Sequence, residues 1–289
     1  MHRLAIALIN LSFWLLSRLP LSVLHALGAF LGEWAAKFPG RYGRRLRTHF
    51  LHAYPDADRV VLIEAARSAG RMALEIPYFW ARKDPLVGLH HLLDPHESHI
   101  QSLLEQGHGM IFLTPHLGCF EALAPLLSAR YGLTVMFKPP HKIWLRRWIE
   151  KMRSRPGLHL APAKASGIRM LVKALRHGEA VGILPDQTPP NGQGVWAPFF
   201  GKPAYTITLV QKLQRLSGAP IVLLFNERLP HGQGYRVHCR SLDTLPEDAT
   251  MAATILNQAI ENLIAIAPTQ YIWGYNRYKV PHGTPTQHD

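Results

Sequence analysis

Hydrophobic and polar positions change their spacing several times along the chain, and each change marks an element. Met110 to Leu113 is a short unbroken apolar run, which predicts a buried strand. Thr114-Pro115 ends it, and from Phe120 to Leu127 the apolar residues take helical spacing. The residues between form a strand-to-helix turn, which Gly118 permits. His116 lies in that turn, with Glu121 five positions later. On one continuous helix these two side chains would stand roughly 140° apart. They meet only if His116 is in the turn and Glu121 sits on the first helical turn, facing back. The pattern therefore predicts an imidazole oriented by a carboxylate at the carboxyl end of a strand, where open α/β folds place their chemistry.

Upstream, Leu4 to Leu16 is apolar apart from Asn10 and Ser12. A second apolar stretch, Leu21 to Phe38, has His25, Glu33 and Lys37 embedded in it. The first run is short for a membrane span, which needs about 20 apolar residues. No small-x-small cleavage site follows it directly, so a signal peptide fits poorly. An uncleaved anchor followed by an interfacial amphipathic helix is the better expectation. Arg41, Arg44, Arg45 and Arg47 follow at once. A basic cluster after a hydrophobic segment marks the cytoplasmic side and grips anionic head groups. The expected division is an anchor over 1–40, a catalytic domain over 41–282 and a disordered tail over 283–289.

Asp56 to Arg82 reads as one long helix with Asp56 or Asp58 as its N-cap. His90, His91, His96 and His99 then crowd around Asp94 and Glu97. No metal site is expected there. Adjacent side chains diverge in a strand, no second ligand cluster has zinc-like spacing, and Asp94-Pro95 opens a helix running to Leu104. Beyond the central turn the chain alternates. Strands are expected at Leu133–Phe137, Ala180–Leu184, Pro220–Phe225 and Tyr235–Cys239. Helices are expected at Lys142–Arg153, Ile168–His177, Tyr205–Leu216 and Thr250–Ala265, with a Pro/Gly-rich loop over Thr188–Gly194. The fold class is α/β: a mostly parallel sheet flanked by helices, with an N-terminal hydrophobic membrane-anchoring helical segment.

Composition narrows the partners. The 289 residues carry a net charge of +13, which suits an anionic partner such as a membrane surface or an acidic protein. Nucleic acid is a poor third reading and no such partner is expected, because the basic residues follow hydrophobic segments and no nucleic-acid module is visible. Cys119 and Cys239 are the only cysteines and lack metal-ligand spacing, which fits a reduced compartment.

Four ordered motifs carry a resemblance over nearly the whole chain. His116-Leu-Gly-Cys-Phe-Glu121 matches an H-x4-D/E pattern. Lys173 to Gln187 resembles a helix, glycine turn and strand ending in Asp-Gln. Val195-Trp-Ala-Pro-Phe-Phe-Gly201 resembles a "PFFG" segment, and Gln270 to Lys279 a C-terminal "W-x-x-R-R-x-K" element. Together they resemble the late-acting lipid A (lauroyl/myristoyl) acyltransferases of Gram-negative bacteria, within the lysophospholipid acyltransferase-like superfamily. Asn276 stands where that family usually has the first Arg of the pair, and Cys119 where it usually has Asn.

The resemblance implies an O-acyltransferase without cofactor or metal at the cytoplasmic face of the inner membrane. It would take acyl from acyl carrier protein and pass it to a hydroxyl of a lipid A precursor, among inner membrane lipids. His116 would be the base and Glu121 would fix its tautomer. No G-x-S-x-G elbow exists, so direct attack is expected without a covalent intermediate. Backbone N–H groups at the start of the Phe120 helix, or Arg153, would hold the oxyanion. Asp186 would orient a neighbour. Gln187, Lys138, Gly118, Arg146 and Arg147 are further substrate-binding candidates. Lys142, Arg146, Arg147 and Lys151 share one helix face, suited to steering an acidic donor protein. Trp196, Phe199 and Phe200 line an acyl channel on one reading and pack as ordinary core on the other. Two further readings remain: the same fold acting on a glycerophospholipid or glycosylated lipid, and a non-enzymatic basic scaffold on the membrane.

Overall fold

The computed structural model describes residues 2–38 and 40–284. Two helices open the chain, α1 (His2–Arg18) and α2 (Leu21–Lys37), followed by α3 (Arg41–Ala53) and α4 (Arg59–Ala81). Asp58 caps α4 by accepting the Val61 N–H at 2.9 Å, as its position before the apolar periodicity predicts. Among the described residues, no helix is long and apolar enough to cross a membrane. Gly28 and Gly32 of α2 cross Gly70 of α4 so closely that a Cβ on Gly32 would sit 2.2 Å from the Ala66 carbonyl oxygen. The helices touch there through backbone.

A 3₁₀ turn over His90–His96 leads into α5 (Glu97–Leu104). Here the expected single helix from Asp94 is divided, and the histidines serve the neighbouring sheet: His96 bonds the Val237 carbonyl and His99 the Ser241 hydroxyl. Strand β1 (Met110–Leu113) follows. The expected helix from Phe120 begins as a 3₁₀ turn over Phe120–Ala122 and becomes α6 (Leu123–Ser128). Then come β2 (Leu133–Phe137), α7 (Ile143–Arg153), β3 (Leu158–Pro162), α8 (Ala165–Arg176) and β4 (Ala180–Ile183). A hairpin of β5 (Gly194–Phe199) and β6 (Lys202–Ile207) precedes α9 (Leu209–Ser217). The chain closes with β7 (Ile221–Arg228), β8 (Tyr235–Leu242) and α10 (Ala249–Ile264).

One expectation is corrected, and one strand is unexpected. Tyr205–Ile207 belongs to a strand, so the helix there starts four residues late. Phe200 and Gly201, with φ of 47° and 75°, make the tight turn that pairs Phe199 with Lys202. Strand β3 has no counterpart in the sequence reading. Of the tail expected to be disordered, residues 285–289 lie outside the described residues.

Six strands form one sheet in the order β3-β2-β4-β1-β7-β8. All neighbours are parallel except β7 and β8. Strand alternation sends Ile111 and Leu113 to one face, with Leu171 of α8 and Leu213 of α9. Met110 and Phe112 go to the other, with Leu123 and Leu127 of α6, Ile100 of α5 and Phe79 of α4. The chain leaves β1 toward β2 and leaves β4 toward β7, in opposite directions. The crevice above the adjacent ends of β1 and β4 is therefore the switch point of the sheet, the usual ligand position in this architecture.

Candidate active site

His116 follows β1 by three residues, and Asp186 follows β4 by three. Because β1 and β4 pair in parallel register, with Leu113 opposite Ile183, the two turns meet. Asp186 Oδ1 lies 2.8 Å from His116 Nδ1, and Oδ2 accepts the His116 backbone N–H at 2.9 Å. Asp186 is 1% exposed. Burial alone would raise its pKa, but the His116 ring and the N–H bonds outweigh that and hold it below the usual carboxylate range. An ionised Asp186 accepts Nδ1–H, which leaves the Nε2 lone pair toward the cavity. Gln187 meets that lone pair: its Nε2 is 3.0 Å from His116 Nε2.

The turn geometry explains Gly118. Its φ is +60°, and a Cβ there would lie 2.1 Å from the Asn226 carbonyl oxygen. Only glycine fits. Its N–H donates to the Gln270 carbonyl, and the Cys119 N–H donates to the Asn226 carbonyl. These amides are engaged in the fold, so Gly118 shapes the turn and its N–H is committed to Gln270.

Glu121 does sit on the first helical turn, but its oxygens are turned elsewhere. Arg153 Nη2 donates to Oε1, and the Trp80 indole donates to Oε2 at 2.9 Å. The Arg153 guanidinium lies 4.5 Å over the Trp80 ring. The expected His116–Glu121 contact is thus replaced by two pairs, His116–Asp186 and Glu121–Arg153. His116, Glu121 and Arg153 line one cavity of about 470 Å³, with Asp186 buried behind His116. Lys138, exposed, and Gln187 share its polar end. Thr114, Arg155, Thr188 and Gln193 also line it, and the remaining lining is mostly apolar and follows the strands downward past Gly182 and Val135 to Leu133 and Leu127. From Phe137 to Leu133 this is four residues at ~3.3 Å, roughly 13 Å of depth.

Arg146 and Arg147 lie outside this cavity on the exposed side of α7, with Arg146 paired to Glu150. Phe199 and Phe200 lie away from it also, against Tyr271, Tyr278 and Trp273. Trp196 packs on Tyr205. The core reading of that segment is the one observed. Trp80, which completes the Glu121 pair, escaped the sequence reading because an indole at the end of an apolar helix looks like any core aromatic. Cys119 is no nucleophile: burial first, then the charge of Glu75, pushes its thiol pKa far up.

An open α/β sheet with an imidazole–carboxylate pair at the switch point, opening onto a deep cavity, is the arrangement of an enzyme site suited to acid–base chemistry. Comparison makes this specific. Residues 2–280 match the family model described as bacterial lipid A biosynthesis acyltransferase. The lipid A biosynthesis lauroyltransferase of Escherichia coli K12 is 29% identical, over 95% of this chain and 92% of that protein. The palmitoleoyltransferase of the same organism is 27% identical, over 92% and 88%. A lipid A biosynthesis acyltransferase of Haemophilus influenzae is 24% identical, over 90% and 82%. The chain belongs to the bacterial lipid A biosynthesis acyltransferase family, and it is an acyltransferase.

Proposed function

We propose that this enzyme moves a fatty acyl chain from an acyl carrier protein thioester to a hydroxyl of a lipid A precursor, as a late, secondary acylation. The observation that carries the reading is the His116–Asp186 pair at the polar end of an apolar cavity. The acyl chain lies along the strands with its carbonyl beside His116. The acceptor hydroxyl displaces the Gln187 amide from His116 Nε2 and gives up its proton there. Its oxygen attacks the thioester carbon. Arg153, held in the cavity wall by Glu121, faces the oxyanion. The intermediate expels the thiolate, which takes the proton back from the imidazolium. Asp186 stays ionised throughout and stabilises that imidazolium.

The same reading places the enzyme at the cytoplasmic face of the bacterial inner membrane, lying in the interface. Leu8, Leu11 and Leu15 of α1 and Phe30, Trp34 and Phe38 on and after α2 are exposed, and exposed Arg41, Arg44 and Arg47 follow them. Apolar side chains beside cations support interfacial insertion. Exposed Lys142, Arg146, Arg147 and Lys151 support docking of an acidic donor protein on α7. The test is to incubate purified protein with acyl carrier protein thioesters, acyl-coenzyme A, lipid A precursors and lysophospholipids. The expected result is transfer from the carrier protein to the lipid A precursor. Transfer to a lysophospholipid alone, or from coenzyme A alone, overturns the assignment.

A further inference from the structure

Both catalytic turns lie against one stretch of chain, Gln270 to Arg277. At the first turn, the Gly118 N–H donates to the Gln270 carbonyl and the Ile272 N–H donates to the His116 carbonyl, each at 3.1 Å. Leu117 and Tyr271 pair between these bonds. At the second turn, the Thr188 N–H donates to the Tyr275 hydroxyl oxygen at 3.0 Å. The Thr188 hydroxyl donates to the Arg277 carbonyl at 3.1 Å.

Each end of the stretch is pinned. The Gln270 side-chain amide accepts the Arg228 N–H and donates to the Arg228 carbonyl on β7. The Arg277 guanidinium, 2% exposed, donates to the Tyr205 carbonyl and to the hydroxyl of Thr206 on β6. The segment thus ties the loop after β1 to the loop after β4 from a rigid base. His116 belongs to one loop, and Asp186 and Gln187 to the other. Their bonds survive only while the loops keep their spacing, and displacements of about 1 Å at such sites are costly to rate.

We propose that Gln270–Arg277 is a clasp that sets the distance between the two catalytic turns, with Tyr275 as its positioning residue. Tyr275 acts through Thr188 on Gln187 and Asp186. It is not among the residues lining the cavity. The proposal rests on His116 being the proton acceptor of the transfer reaction.

Tyr275→Phe removes one hydroxyl and keeps the ring. In the full-length enzyme, kcat is expected to fall about tenfold, the scale of one hydrogen bond. KM for donor and acceptor stays unchanged, and the thermal midpoint falls by only a few degrees, the share of one hydrogen bond. A second readout does not depend on turnover. His116 is modified by diethyl pyrocarbonate at the ring nitrogen that Gln187 covers, and mass spectrometry of the His116 peptide follows the rate. Labelling is expected to be several-fold faster in Tyr275→Phe than in the wild type. Raised KM at unchanged kcat means that Tyr275 is a substrate contact and overturns the clasp, as do unchanged kcat and unchanged labelling. A wild-type protein that transfers nothing from the proposed donors counts against those substrates, and the labelling comparison still decides the clasp.

Discussion

Asp186 accepts two bonds from a single residue, the backbone N–H and the ring Nδ1–H of His116. One carboxylate therefore fixes both the turn and the tautomer. Asp186→Asn presents an amide to Nδ1 and favours the wrong tautomer, so kcat is expected to fall roughly 10³-fold with the fold retained. His116→Ala is expected to abolish transfer. Glu121→Gln keeps the shape but weakens the grip on Arg153, and a loss of about tenfold is expected. Steady-state kinetics with circular dichroism as the folding control separate the three. Equal losses from Glu121→Gln and Asp186→Asn would return Glu121 to the role of orienting the histidine. His116, Gly118 and Glu121 were legible because they are neighbours in a turn whose local pattern is distinctive. Asp186 was legible as a carboxylate at a strand end that orients a neighbour. Its partner was not, since nothing in one sequence says that β4 lies beside β1. Local spacing favoured Glu121, and strand order gave the contact to Asp186.

Among the elements, the long helices and the buried strands could be read from spacing, whereas β3 and the β5–β6 hairpin could not. Leu-His-Leu-Ala-Pro is too short and mixed to stand out, and Tyr205 to Leu216 has apolar residues compatible with a continued helix. The hairpin depends on a non-glycine residue, Phe200, at φ 47°, held by the Phe200 N–H on Glu261 and by His52 on the Phe200 carbonyl. Those are tertiary bonds. The same holds for Glu75 of α4, buried among Arg228, His25 and Tyr235. Burial would raise its pKa, but Arg228 and His25 bring it down to about 2. Its folded value lies below its ordinary 4.5, so the unfolded chain binds the proton first as pH falls. The stabilisation is complete above about pH 4.5 and is lost as pH falls toward 2. Glu75→Gln, which leaves Arg228 buried without its partner, is expected to cost ~3–5 kcal/mol at pH 7. Urea unfolding should show that gap constant down to about pH 4.5 and narrowing below it; a gap independent of pH would contradict the assignment. In β4, Gly182 leaves the cavity wall open, and a Cβ there would lie 2.9 Å from Val135 Cγ1. Gly182→Val is expected to narrow the cavity and shift preference to shorter acyl donors, seen as a drop of about tenfold in kcat/KM for the longest one used by the wild type. An unchanged chain-length profile would mean that the acyl chain lies elsewhere.

At the scale of the molecule, charge and exposed apolar surface set how the enzyme meets its partners. Reversing Arg146 and Arg147 to Glu is expected to raise KM for acyl carrier protein several-fold at low salt, with kcat almost unchanged and the difference shrinking as salt is added. No salt dependence, and equal use of acyl-coenzyme A, would rule out that docking face. Phe30→Ser with Trp34→Ser is expected to weaken sedimentation with anionic vesicles. Surface substitutions are the fair test, because α2 is also bonded into the body of the enzyme. Gly28 and Gly32 meet Gly70 backbone to backbone, and even one added methyl would collide. A generic greasy helix is interchangeable, and another of equal length serves as well. This one is cut like a key for the helix it crosses. Any chimera that exchanges α2 must therefore carry α2 and α4 over together, as a single unit of inheritance.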